Sequence, residues 1–397
     1  VYYSDFDQTV GTVFDDEQIA SSNYNRLPVS SVSTVTIGLS GGGATALFGS
    51  GDRVILWDDS ANKVQTTISS VDSDVQVTLA ASAAAVAGSN PYIAKNLLAD
   101  PDMELSGTTC WTASGATLAK ETTIVKKDAQ SLKITNTGAA QGYGRQTVTT
   151  ASGNDFVVRG WAYGPATVNG ASRIIDVDNT AALSLTATQA GLSAASWVQI
   201  ESCFEAADAS TTIDIGSGST TSAEIAYFDD LKLLPNLVDN GGMENQTADL
   251  PAGWINAAWG TSTLAATTSA HSGSDALRIT ALGVYIYQDV TFAAKGFYEF
   301  SAWVKTNSGA IYPYFRIQQS SGTITDSSVL MSSTSATWTR LSKIYHCSAG
   351  AVGRIALAGT AGGACDIEYD DVSIVHRPDL SVSFNNMTNG YRFEPTR

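Results

Sequence analysis

Two stretches of alternating tyrosines are the residues best suited to do chemistry in this chain. In Val284-Tyr285-Ile286-Tyr287-Gln288-Asp289, apolar Val284 and Ile286 alternate with Tyr285, Tyr287 and Asp289. In Ile311-Tyr312-Pro313-Tyr314-Phe315-Arg316-Ile317, the same period separates Tyr312, Tyr314 and Arg316 from an apolar set. A β-strand sends successive side chains to opposite faces. Each stretch therefore predicts one core face and one outward face bearing tyrosines. Outward rings suit the apolar C–H faces of sugars, with Arg316, Asp289 and a further ring, Trp303, lining the same surface. An exposed aromatic face is equally what a protein interface presents, or plain surface. All three readings stand at this point.

Bond-breaking chemistry has little to work with. The chain holds three histidines, His271, His346 and His376, and none stands in a recognisable nucleophile or metallohydrolase motif. Carboxylate pairs such as Asp229-Asp230 are adjacent, so on a regular strand they point to opposite faces. They cannot then flank a glycosidic bond at the ~5–9 Å that hydrolysis needs. The expectation is a protein that is not an enzyme. The four cysteines fall two and two, Cys110 with Cys203 and Cys347 with Cys365. Each pair is a candidate intradomain disulfide, with buried free thiols as the alternative.

The elements that must position these residues follow from a duplication. Asn96-Leu97-Leu98-Ala99-Asp100-Pro101-Asp102-Met103-Glu104 returns as Asn236-Leu237-Val238-Asp239-Asn240-Gly241-Gly242-Met243-Glu244. Trp111, Trp161 and Trp197 answer Trp254, Trp303 and Trp338, and Ser131-Leu132-Lys133-Ile134 answers Ala276-Leu277-Arg278-Ile279. Tyr227-Phe228-Asp229-Asp230-Leu231 answers Glu368-Tyr369-Asp370-Asp371-Val372, and the offset stays between 140 and 145 residues throughout. A period that long means two complete domains, since solenoid units run to roughly 20–50 residues.

Both repeats alternate in period two, which predicts antiparallel sheets packed as sandwiches. Before them, turn signals between short apolar runs in residues 31–94 predict a small β-barrel or meander. Residues 1–30 and 379–397 carry aromatics without a sustained period and read as extended arms that need another surface to order them. The organisation expected is all-β: an arm (1–30), a small β domain for assembly (31–94), sandwiches over 95–235 and 236–378, and a tail (379–397). The net charge of −16, with no basic stripe, argues against nucleic acid. No apolar run approaches the ~20 residues that span a bilayer.

These motifs resemble the jelly-roll carbohydrate-binding modules, nearest to those that bind xylan and β-glucan. The residues carrying the resemblance are the Asn-Leu opening that ends in Glu, the following Trp, the Leu-Lys/Arg-Ile strand and the closing Asp-Asp. The layout also resembles bacteriophage virion proteins, in which such jelly rolls are appended to an assembly domain. The resemblance implies a structural calcium in each repeat, held by Glu244 and Asp371 in the second and by Glu104 and Asp230 in the first. It favours the second, because Lys126-Lys127-Asp128 brings an ammonium to the first. It further implies a virion protein of the tail, fibre or head-decoration kind. Such a protein would partner itself or other virion proteins through its arms and would contact cell-surface polysaccharide. A secreted bacterial carbohydrate-binding protein, or the binding part of a glycoside hydrolase, is the alternative.

Overall fold

The computed structural model describes residues 27–377, apart from 41–43, 45–47, 61, 87–90, 139–140, 165–170, 193–194, 218, 248, 258–263, 281–284, 308–312, 326–329, 332–334 and 360–365. The arms (residues 1–26 and 378–397), Tyr312 and Cys365 lie outside the described residues.

The first unit is a closed six-stranded barrel. Its strands run, in spatial order, Leu27–Val32, Thr36–Leu39, Gln76–Leu79, Lys63–Ser73, Arg53–Trp57 and Tyr92–Ala94, and the last pairs with the first. The barrel thus begins inside the segment read as an arm. Val54 and Leu56 fill its interior beside Ile37, Ile68 and Val77. On the other face of the same strand, Ile55 and Trp57 join the core of the first sandwich, together with Ala94. A strand buried on both faces leaves the barrel no freedom to hang on a linker. Gln65 adds a bridge: its Nε2 donates to the Leu97 carbonyl at 3.0 Å, and Thr149 N donates to its Oε1.

Each repeat is a jelly-roll sandwich. In the first, one sheet runs Thr180–Thr186, Arg173–Val177, Ser210–Gly216, Tyr143–Thr149, Thr112–Ser114. The other runs Trp197–Glu205, Asp155–Tyr163, Ile225–Pro235, Ser131–Asn136, Ala116–Glu121. The second repeat has the same order with small changes. One sheet runs Ile255–Asn256, Tyr285–Phe292, Ala351–Gly359, Pro313–Ser321, Leu330–Met331. The other runs Leu264–Thr267, Ala276–Ile279, Ile367–His376, Gly296–Thr306, Thr339–Cys347, Ile324–Thr325. Alternation supplies the cores: Tyr298, Phe300, Ala302 and Val304 all face the second interior.

The duplicated phrase stitches each sandwich shut. Asn96 Nδ2 donates to the Leu231 carbonyl at 2.8 Å while its Oδ1 accepts from Leu98 N and Leu233 N. Asn236 makes the same three bonds to Val372, Val238 and Ile374. Gln146 and Gln288, both buried, clamp the backbones of Ala99 and Asp239 through an acceptor and a donor each. These amides satisfy backbone groups that burial would otherwise strand.

The two repeats pack through the sheets that contain their closing strands; we call these the inner sheets, and the other two the outer sheets. Val157 and Cys203 of the first meet Val375 of the second. Beside them lies a buried ionic network. Arg340 donates from Nε to Glu201 at 2.6 Å and from Nη2 to Glu299 at 2.8 Å, and Arg159 and Arg377 both reach Glu299. Ser301 and Ser373 complete the coordination of Glu201. At the rim, Asn240 N donates to the Asp155 carboxylate at 3.0 Å.

Two outcomes follow from this interface. Removing Arg340 leaves Glu201 and Glu299 buried and undercompensated, so Arg340→Ala should cost about 3–5 kcal/mol in chemical denaturation. The more exposed Arg278–Asp366 pair should cost less than about 1 kcal/mol when broken by Arg278→Ala. Burial, reinforced by Asp239 and Glu205, pushes the Asp155 carboxyl up to about 7. The folded chain then holds that proton more tightly than the unfolded one. The stability it contributes is present below about pH 4 and is lost as pH rises toward 7. Thermal melts across that window should show a decline in Tm that Asp155→Asn flattens.

Candidate functional site

The outer sheet of the second repeat gathers the tyrosines. Register places Tyr285 opposite Ala358, Tyr287 opposite Ala356 and Asp289 opposite Arg354. On the far side of the same central strand, Tyr314, Arg316 and Gln318 stand opposite Ala358, Ala356 and Arg354. Directly opposed residues share a face of the sheet. The middle strand therefore lays a floor of two alanines, each about 1% exposed, with larger residues along both sides. Neighbouring strands lie ~4.8 Å apart, so the walls stand roughly 10 Å from each other. That is a shallow groove, ended on one side by Arg354 of the same middle strand.

One wall is described in detail. The Tyr285 and Tyr287 ring centroids lie 6.0 Å apart with planes inclined by 39°. The Arg354 guanidinium sits 4.0 Å from the Tyr287 centroid and forms two bonds with Asp289, at 2.8 and 2.9 Å. This pairing holds the Asp289 carboxyl below the usual range. The result is a surface of two mutually inclined phenols and one guanidinium, all half-buried. Flat, partly desolvated plates with polar edges are what pyranose rings stack upon.

The equivalent face of the first repeat is built differently. Tyr143 and Arg145 occupy the places of Tyr285 and Tyr287, as the sequence suggests. Here, however, Tyr143 is only 3% exposed, its hydroxyl 3.2 Å from Asp176 Oδ2. Arg145 makes two bonds with Asp214, and Arg173 reaches Asp176 at 2.9 Å. Burial and Asp176 push the Tyr143 hydroxyl well above its ordinary pKa. Acids and bases on this face satisfy one another.

Of the residues expected on the aromatic face, Tyr285, Tyr287, Asp289 and Arg316 share the groove, and Tyr314 falls in its register. Trp303 does not. It belongs to the inner sheet, is 8% exposed and stacks on His271 at 3.7 Å with planes 14° apart. Alternation assigns Trp303 a face but cannot say which of two sheets owns its strand. Arg354, Ala356 and Ala358 are groove residues that the sequence reading passed over. Their signal is small outward residues alternating with apolar inward ones in Arg354-Ile355-Ala356-Leu357-Ala358.

The carboxylates expected to hold calcium sit at a loop built alike in both repeats. Glu104 accepts from Ala129 N and Gln130 N, and Asp229 accepts from Lys126 N and Lys127 N. Glu244 accepts from Ser274 N and Asp275 N, and Asp370 from His271 N and Ser272 N. Asp230 and Asp371 each take a left-handed backbone, with φ of 48° and 45°, at a register shift in the closing strand. The bulge corrects the expectation that neighbouring aspartates point apart. Asp371 and Asp370 both reach the His271-Ser272 segment, Asp371 through His271 Nδ1 at 2.6 Å and Ser272 Oγ at 2.9 Å.

The repeats differ in what balances this charge. In the first, Lys127 and Lys232 stand 3.6 and 3.4 Å from Asp230, and a dication there would meet two ammonium groups. The first repeat does not fit calcium. In the second no lysine contacts Asp371 among the described residues, and burial together with Asp275 and Asp371 pushes Glu244 up to about 8. There His271 Nδ1 is the group that faces Asp371, and the carboxylate oxygens of the cluster are donors of the kind a hard cation takes. Among the described residues, no three His, Cys, Asp or Glu converge as a ready metal cage.

For Cys110 and Cys203 the structure takes the free-thiol alternative. Cys110 and Cys203 are buried free thiols, as is Cys347. Cys110 lies in the first core, whereas Cys203 faces the second repeat beside Val157 and Val375. The two therefore belong to different packing layers. Burial pushes the Cys110 and Cys347 thiols up to about 12.

No protein-family model and no curated protein matches this chain. Several solved structures are similar to it. One is the N-terminal CBM22-1–CBM22-2 tandem domain of Paenibacillus barcinonensis Xyn10C, at 13% identity and TM-score 0.28, covering 67% of this chain and 92% of that one. A second is the enzymatically active domain of bacteriophage CBA120 tailspike protein 4, at 16% identity and TM-score 0.29, covering 36% of this chain and 21% of that one. A third is TmCBM61 in complex with β-1,4-galactotriose, at 14% identity and TM-score 0.30, covering 36% of this chain and 99% of that one. Among the described residues, no helix is long and apolar enough to cross a membrane.

Proposed function

We propose that this protein is a non-catalytic adhesion component whose second jelly roll holds a polysaccharide along its outer sheet. The observation that carries the reading is the alanine-floored groove flanked by Tyr285 and Tyr287, with Arg354 of the floor strand laid against Tyr287. Its dimensions suit one sugar chain, and its plates suit stacked rings. The absence of catalysis is supported by how the acids at the duplicated loop are engaged: Asp229, Asp370, Glu104 and Glu244 all accept backbone N–H groups of the loops beside them.

For the setting we propose a bacteriophage particle. The barrel and the terminal arms would dock against other virion proteins or further copies of this chain, and the groove would face host-surface polysaccharide. A secreted bacterial carbohydrate-binding protein is the second reading, favoured by the groove itself, which needs no particle to function. Affinity electrophoresis against xylan, β-glucan and galactan tests the shared element. Tyr287→Ala should weaken retention by about tenfold or more without lowering Tm, and retention unchanged in both Tyr285→Ala and Tyr287→Ala would remove the groove from the account. Deleting residues 1–26 or 378–397 should abolish incorporation into particles while leaving retention intact; a freely secreted monomer would show no such loss.

We also propose that the acidic cluster of the second repeat takes a structural calcium through Glu244 and Asp371. Calcium would neutralise the charge that lysines neutralise in the first repeat. Millimolar calcium should then raise Tm, a chelator should reverse the rise, and Glu244→Gln should abolish it. A Tm indifferent to calcium in the wild type rejects the site.

A further inference from the structure

We infer that the groove selects a glycan bearing carboxylates, a uronic-acid polymer, and that Arg316 is the residue that reads the acid. This rests on the glycan reading of the same groove.

The argument begins with an accounting of arginines on the two outer sheets. Arg145 is bound to Asp214, Arg173 to Asp176 and Arg354 to Asp289. The inner-sheet arginines are paired as well, Arg278 with Asp366 and Arg340 with two glutamates. Arg316 is the exception. It stands opposite Ala356, across the groove floor from Tyr287. It is half-buried, and among the described residues no carboxylate, carbonyl or hydroxyl meets it. In a chain with a net charge of −16, acidic side chains are plentiful, so a guanidinium on a groove wall that meets none among the described residues stands out.

Partial burial makes that vacancy costly. A guanidinium loses hydration as it is covered and recovers it only through acceptors. Its planar fork matches a carboxylate in a two-bonded geometry that a hydroxyl cannot reproduce. A uronate in the groove, one face against Tyr287, would present its carboxylate to the opposite wall, where Arg316 stands. Arg354 cannot take this role, because Asp289 already occupies its fork; it serves as a stacking plate. Gln318, exposed in the adjacent row, offers an amide to ring hydroxyls. The first repeat makes the contrast: its arginines on the equivalent face are internally neutralised, so the acid preference belongs to the second repeat alone.

The experiment compares matched polymers. Polygalacturonate, glucuronoxylan and alginate, each beside its carboxyl-reduced form, are titrated into the full-length chain by calorimetry at low and high sodium chloride. At least one acidic polymer should bind about tenfold tighter than its reduced form, with the advantage shrinking at high salt. Arg316→Gln should erase the advantage, bringing the acidic and the carboxyl-reduced forms to equal affinity, without lowering the Tm. Arg316→Lys, which keeps charge but loses the fork, should retain only part of it. Equal binding of acidic and reduced forms, or an advantage that survives Arg316→Gln, overturns the inference and leaves the glycan reading standing. Binding of no polymer in either form overturns both.

Discussion

A carboxylate seated in a left-handed bulge of the closing strand is the contact on which both jelly rolls depend. At Asp230 and Asp371 the backbone leaves the extended region, at φ 48° and 45°, a conformation that costs a non-glycine residue of order 1 kcal/mol. The bulge is repaid by what it brings together. It turns two neighbouring acids toward one loop, and the preceding aspartate then caps two successive N–H groups of that loop. The opening asparagine clamps the residues just beyond the bulge. First strand, loop and last strand meet at one point, so the sandwich closes where its chain ends converge. In the second repeat the same carboxylate also accepts Cys203 N of the first, which extends the stitch across the inter-repeat boundary.

Duplication preserved these stitches and released the rest. Asn96 and Asn236, Gln146 and Gln288, Glu104 and Glu244 make the same bonds in the two copies. The outer sheets have diverged on the face turned away from Gln146 and Gln288, which the stitch does not hold. One became a self-neutralised polar surface around Asp176 and Asp214, both fully buried. The other acquired alanines on its middle strand and tyrosines beside them. The inner sheets diverged in a complementary way: Arg159 of one repeat occupies the place of Ser301 in the other, and each contributes to the network around Glu201 and Glu299. A buried network of this kind adds little net stability compared with an apolar contact, but it penalises every misaligned docking by leaving a charge unpaired.

Much of this was legible in the sequence wherever the signal was local or repeated. The offset of the repeats, the alternation in Phe297–Lys305 and the tyrosine face needed only spacing. The groove floor was less visible, since Ala356 and Ala358 look unremarkable until their neighbours on two other strands are known. The ionic network carried no local mark at all: Arg340 and Glu201 lie 139 residues apart, and each reads alone as an ordinary charged residue on a strand. Trp303 and the paired aspartates were misplaced for related reasons. Alternation gives the side of a strand but not its sheet, and one bulge inverts the alternation after it.

The docking of inner sheet on inner sheet has a consequence for recognition. Each sandwich spends one sheet on its partner, so the two outer sheets look away from each other. The barrel shares Ile55 and Trp57 with the first core, and Lys95 joins Asp52 of the barrel, at 2.7 Å, to His376 at the end of the second repeat. Barrel and both sandwiches are therefore coupled by packed side chains, without a hinge between them. Were the barrel to dock as proposed, a groove on such a body would be held at a fixed angle to its docking partner. A ligand entering it pays no entropy for ordering domains, and affinity gained across several anchored copies depends on their spacing rather than on linker length. On the proposed function, fixed geometry of that kind would favour a surface that displays many chains of one polymer over a single short oligosaccharide free in solution.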